Sequence, residues 1–152
     1  MSNEVIEVLA RGVCIREGKL LLCHTRGASN TYLPGGHVEF EEPARKSLQR
    51  EILEELGRES TVGRFLGGVE HGFIQDGHRH SEINLVFELD VEGVSSAEAP
   101  SSCEDHIEFV WAPLSSLATA ELEPLVLRDC LVDWCEGGAG GVWASTLEGT
   151  GS

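Results

Sequence analysis

The chain has 152 residues, 41% of them hydrophobic and 24% charged, the proportions of one globular domain able to bury its own core. Acidic residues outnumber basic ones 26 to 11, the formal net charge is −15, and no cluster of Lys and Arg interrupts the surplus. That balance argues against duplex nucleic acid as a partner, and a small anionic ligand would be repelled unless a divalent cation stood between it and the protein.

Residues 4–17 (EVIEVLARGVCIRE) and 19–26 (KLLLCHTR) are apolar, β-branched runs separated by Glu17-Gly18, the pattern of two strands meeting at a tight turn. Residues 27–42 (GASNTYLPGGHVEFEE) carry loop chemistry, with Pro34-Gly35-Gly36 able to take backbone angles that other residues avoid. Pro43 suits a first helical turn and Gly57 the stop just after one, so a helix is predicted over about 43–56. Its packing stripe is Ala44, Leu48, Ile52 and Leu56, one at every fourth position. At about 100° of rotation per residue, Glu51, Glu54 and Glu55 then share an arc of about 100° beside that stripe.

Further strands are predicted over 60–75 and 81–91, joined by the polar turn DGHRH, and over 106–114. A second helix around 122–135 offers Leu125, Leu127, Leu131 and Trp134 for burial, and residues 137–152 read as a mobile, glycine-rich tail after a single domain of residues 1–136. Strands, a helix, more strands and a final helix make an α/β sandwich around a mixed sheet. With no charged-then-apolar leader and no apolar run near the roughly 18 residues that span a bilayer, the chain is expected to be soluble and cytoplasmic, with no membrane partner. The five cysteines are an odd number without a Cys-x-x-Cys pair, which suggests neither a disulfide framework nor a zinc site.

Three glutamates three and four positions apart repel one another, so the stretch REILEELG at 50–57 needs either a solvated face or a cation. From Gly36 to Arg58 the chain reads GHVEFEEPARKSLQREILEELGR. This resembles the Nudix box, whose pattern is glycine, five residues, glutamate, seven residues, then Arg-Glu-aliphatic-x-Glu-Glu-x-Gly-aliphatic. Gly36, Glu42, Arg50, Glu51, Ile52, Glu54, Glu55 and Gly57 fall on the pattern, and Arg58 departs from it, standing where an aliphatic residue is usual. LPGG before the box and FVWAPLSSL after it are also similar to the family.

The resemblance implies a Nudix-like α/β/α sandwich and a hydrolase that cleaves the pyrophosphate bond of a nucleoside diphosphate joined to another group, with Mg²⁺ or Mn²⁺ as cofactor. Such chemistry brings water to a phosphorus atom shielded by anionic oxygens, and a hard cation held by carboxylates neutralises that charge. The resemblance gives Glu51, Glu54 and Glu55 to the metal, with the Gly35 carbonyl as a further ligand and Glu51 or Glu54 as proton acceptor. Glu104, in the loop SSCEDHIEF, sits where some relatives place another metal or base carboxylate, with Asp105 and Glu82 as weaker candidates. Arg50, four residues before Glu54 and beside Glu51, would orient a carboxylate through its fork of donors. Glu42 stands between two roles, a charge at the helix N-terminus or a support for the metal site.

His37, in the loop expected to face phosphate, is a candidate substrate contact. Tyr32, Phe40, Phe73 and Trp111 are candidates to stack on a base, although aromatic residues in strands more often belong to a core. His71, His78 and His80 read as a strand end and a polar turn. The expected partner is a small nucleotide or nucleotide derivative, and a homodimer is compatible with the domain. FIQD at 73–76 offers neither the proline nor the tyrosine that marks relatives acting on ADP-ribose or dinucleoside polyphosphates, so nucleoside triphosphates and nucleotide sugars stand level as substrates. The alternative class is a catalytically silent Nudix-fold module that senses a nucleotide or binds a protein; silent relatives lose box glutamates, and this chain keeps them.

Overall fold

A computed structural model describes residues 4–137 and 142–148. β1 (Ile6–Val13) does not fold back onto the next long strand as the apolar runs suggested. It breaks at Cys14, and only the short β2 (Ile15–Arg16) forms the hairpin with β3 (Lys19–Thr25). The turn itself is at Glu17 and Gly18, whose φ values of 51° and 75° supply the twist of a two-residue hairpin. β1 lies instead antiparallel to β5 (Gly35–His37) and parallel to β7 (His78–Val91). A neighbour on each side satisfies both of its edges, and Leu9 and Ala10 are buried on opposite faces.

The first sheet runs in the order β5-β1-β7-β6-β9, with β6 spanning Ser60–Gln75 and β9 spanning Trp143–Ser145. In the second, β3 pairs along its length with β8 (Ile107–Pro113) and on its other side with β2 and β4 (Thr31–Tyr32). The polar turn between β6 and β7 is shorter than expected: Asp76 and Gly77 turn the chain, and His78 to His80 already belong to β7.

α1 (Ala44–Leu56) begins after Pro43 and ends at Gly57, whose φ of 66° lets its N–H donate to the Leu53 carbonyl at 2.8 Å. Leu48, Ile52 and Leu56 are buried against Ala10, Phe87, Leu89 and Phe109. α2 (Leu127–Cys135) closes a second cluster, in which Leu127, Leu131 and Trp134 pack with Leu20, Leu22, Val69 and Val86. It starts later than expected because Pro124 keeps the residue before it out of a helix, and Leu125 is left exposed. Helices on the two sides of the strands make the α/β sandwich.

The boundary expected at residue 136 is not where the sheet ends. β9, inside the supposed tail, adds to β6 in parallel, with Gly68 opposite Trp143 and Glu70 opposite Ser145. Glycine makes this possible: a Cβ on Gly67 would come within 2.7 Å of the Trp134 ring, and one on Gly68 within 2.8 Å of the Trp143 ring. Residues 138–141 and 149–152 lie outside the described part. No helix among the described residues is long and apolar enough to cross a membrane.

Candidate active site

The helical spacing puts Glu51, Glu54 and Glu55 on the last turns of α1, where Arg50 is the shared cation. Its Nε donates to Glu42 Oε2 at 2.8 Å and its Nη2 to Glu42 Oε1 at 3.0 Å, a bidentate pair. Nη1 donates to Glu51 Oε1 at 3.1 Å and to Glu54 Oε1 at 3.3 Å, and Nη2 also reaches the His37 carbonyl at 3.1 Å. The Arg50 contact and the Glu39 N–H hold the Glu42 carboxyl down to about 2, and Glu42 in turn raises the Arg50 guanidinium. Glu42 is thus the bidentate partner of Arg50, and no side-chain cap is made at the helix start.

Glu55 is buried, at 8% exposure. Burial, reinforced by the Glu51 charge, pushes its carboxyl up to about 8, and a backbone hydrogen bond from Gly35 opposes the rise. Gly35 is thus beside the cluster. Glu55 Oε1 is buried with no hydrogen-bond partner, an arrangement that costs on the order of 1–3 kcal/mol. Burial also raises Glu51, against the lowering effect of Arg50. Gly36 makes room for this carboxylate: a Cβ there would come within 2.5 Å of Glu51 Cδ.

An orphaned buried oxygen, a second carboxylate lying against a glycine backbone and an all-oxygen donor set fit a hard divalent cation. Among the described residues, no three His, Cys, Asp or Glu side chains already converge as a metal shell.

The loop carrying Glu104 docks on the end of α1 through the Cys103 N–H, which donates to the Glu55 carbonyl at 2.7 Å. The Glu104 charge bears on Glu55, while its carboxylate lies 3.4 Å from His106 Nε2. Asp105 uses its backbone carbonyl, accepting from Arg26 Nε at 2.8 Å. His37 enters the cluster only through its carbonyl, which accepts from Arg50 and from Ser47 Oγ. Its ring turns to Glu7 Oε2 at 2.9 Å and is 61% exposed. Among the other aromatic candidates, Phe40 is fully in solvent and Trp111 donates to the Glu98 carbonyl at 2.9 Å.

Tyr32 lines a cleft of about 670 Å³ together with Arg11, His71, Phe73, Glu82 and Asn84. Its hydroxyl lies 3.0 Å from Thr25 Oγ1, and the Arg11 guanidinium sits 5.5 Å from its ring centroid. Arg11 is fixed by bonds to Asn84 Oδ1 at 3.3 Å and to the Leu33 carbonyl at 3.1 Å. Its charge lowers both Glu51 and Glu55, which joins the cleft electrostatically to the carboxylates.

A sequence model of the NUDIX domain matches residues 7–131. The chain belongs to the Nudix family. It is 30% identical over 112 residues to the CTP pyrophosphohydrolase of Escherichia coli (strain K12), a match covering 71% of this chain and 76% of that one. Among solved Nudix structures, the MutT protein from Methanosarcina mazei Go1 superposes with a TM-score of 0.68 at 24% identity, covering 90% of this chain and 98% of the other. The MutT NUDIX hydrolase from Burkholderia pseudomallei gives 0.59 at 26% identity, covering 74% and 86%. The fold and the family expected from the box are those found, and the chain is a Nudix hydrolase.

The Nudix box does not disclose Arg11, His71 or Asn84. One signal for Arg11 was present in the sequence: a lone guanidinium between Leu9 and Val13 at inward-facing positions of an apolar strand is expensive unless something uses it.

Proposed function

We propose that this Nudix hydrolase cleaves the pyrophosphate linkage of a nucleoside triphosphate, with Mg²⁺ or Mn²⁺ as cofactor. The observation that carries the reading is a buried carboxyl with an unpartnered oxygen, Glu55, which together with Glu51 feels the charge of Arg11, a guanidinium that lines the cleft. The similarity to a protein named CTP pyrophosphohydrolase supports triphosphates ahead of nucleotide sugars.

Glu51 and Glu55 would hold the cation, with Gly35 and Glu104 alongside; when bound, it neutralises charge on the phosphate oxygens and lowers the pKa of the attacking water. Glu54 is the most open of the three helix carboxylates, with 52% of its side chain exposed, and accepts the proton that water gives up. As the water oxygen bonds to phosphorus, the bond from phosphorus to the bridging oxygen breaks, and the leaving phosphate takes the electron pair. Arg50 keeps Glu51 and Glu54 in register through its bonds to both. Arg11 draws the anionic phosphates toward the carboxylates, and Tyr32 offers a ring face to the base.

The test is a phosphate- and pyrophosphate-release screen over nucleoside triphosphates, nucleotide sugars, dinucleotides and ADP-ribose with added Mg²⁺. Hydrolysis of one or more triphosphates ahead of the other classes is expected. No turnover on any class would sink the reading and favour a silent binding module.

A further inference from the structure

Residues 142–148 pack on β6, the strand that carries two cleft residues, His71 and Phe73. Beyond β9, one backbone bond and one side chain carry on the pairing with β6: the Thr146 N–H donates to the Glu70 carbonyl at 3.1 Å, and the Gly72 N–H donates to Thr146 Oγ1 at 3.0 Å. The hydroxyl thus stands in for the carbonyl of a further strand residue. Leu147 lies over Gly72, where a Cβ would come within 2.4 Å of Leu147 Cδ2. Ser145 Oγ fastens the same segment, donating to Glu70 Oε1 at 2.8 Å and accepting the N–H groups of Leu147 and Glu148 at 3.0 Å each.

Thr146 Oγ1 also lies 3.0 Å from His71 Nδ1. Oγ1 accepts from Gly72 and has one proton of its own to give, and Nδ1 is the ring nitrogen within reach that can take it. A ring that accepts at Nδ1 carries its own proton at Nε2. Burial lowers the His71 pKa and so favours the neutral ring, against the charges of Glu82 and Glu123. The ring stacks on Phe73 with centroids 5.0 Å apart and 22° between planes, and Phe73 stacks on His80 at 4.8 Å and 8°. His71 and Phe73 both line the cleft.

We propose that residues 142–148 form a strap that equips the cleft for its ligand: Thr146 holds His71 in the tautomer protonated at Nε2, and His71, braced by Phe73, donates to an acceptor atom on the substrate's nucleobase. His71 is then a specificity residue and Thr146 its positioning residue. This rests on reading the cleft as the nucleotide site, and the two ideas fail separately.

The experiment compares Thr146→Val, Thr146→Ser, His71→Ala and the Thr146→Val/His71→Ala double variant on the best triphosphate. Thr146→Val and His71→Ala should each raise KM about 3- to 10-fold with kcat within about twofold, the signature of a lost ground-state contact. Thr146→Ser should restore parental KM, and the double variant should match His71→Ala, because Thr146 acts through His71. A parental KM in His71→Ala, or additive losses in the double variant, would overturn the proposal. If the parent hydrolyses no nucleotide, the functional reading fails while the strap is still decided by ¹⁵N NMR of the parent's histidine rings. A bare Nδ1 and a protonated Nε2 at His71 support it, and a proton on Nδ1 overturns it whether or not any variant folds.

Discussion

Arg50 grips Glu42 with two hydrogen bonds, of 2.8 Å and 3.0 Å, and so ties the loop that precedes α1 to the helix that carries the cluster. The other prong of the same guanidinium orients Glu51 and Glu54. Lysine offers one ammonium in place of this planar fork. Arg50→Lys is therefore expected to lower kcat/KM about 10- to 100-fold, the usual cost of losing a group that orients metal-binding residues. Steady-state kinetics at saturating Mg²⁺ decide it, and parental activity would show that the fork is dispensable.

Glu42 titrates on the acid side. Its folded value, held down to about 2, lies below its ordinary 4.5, so the stability it adds is fully present above about pH 4.5 and drains away as pH falls toward 2. Glu42→Gln should lose less stability than the parent between pH 5 and pH 2. Denaturant melts across that range compare the slopes, and parallel curves would contradict the role of the Arg50 contact.

Glu55 places a carboxyl inside the protein with one oxygen unpartnered, and burial makes it resist ionisation up to about pH 8. In excess chelator at pH 7 Glu55→Gln should be more stable than the parent, by about 1 kcal/mol or more. The unfolded Glu55 carboxyl ionises from about pH 4.5 while burial keeps the folded one protonated up to about pH 8, a cost the amide does not carry. Adding Mg²⁺ should raise the parent's melting temperature by mass action and leave the variant's nearly unmoved. Equal Mg²⁺ responses would remove Glu55 from the metal site. The parent's activity should vanish in chelator and return with Mg²⁺ or Mn²⁺.

Glu104 and Asp105 are neighbours with different surroundings. Glu104 bears on Glu55, whereas Asp105 is engaged through its backbone carbonyl by Arg26. Glu104→Gln should reduce kcat about tenfold or more with little change in KM, and Asp105→Asn should behave as the parent. Loss in the second variant alone would move the role to Asp105.

Arg11 is the cation between the cleft and the carboxylates. Arg11→Lys gives up the fork that bonds Asn84 and the Leu33 carbonyl, and is expected to raise KM for the triphosphate about tenfold. An unchanged KM would place the phosphates elsewhere.

What could be read from the sequence was local. Pro43 and Gly57 bracket α1, the four-residue rhythm of Leu48, Ile52 and Leu56 is its buried stripe, and positions i, i+3 and i+4 gather the glutamates whatever the rest of the chain does. The spacing of the box is a property of one helix and the loop before it, so family and cluster were legible together. Which of those glutamates is buried was decided by tertiary packing, where the Cys103 loop docks on the Glu55 carbonyl at the end of α1. The partner of β1 was decided the same way: a parallel strand lies far along the chain, and its alternating side chains do not name the neighbour. The ring of His37 turned to Glu7, Arg11 came to act on Glu51 and Glu55, and Trp143 to Ser145 found β6 across a glycine track. Each of these joins residues whose separation in sequence carries no periodic signal, so only the order of strands in the sheet brings them together.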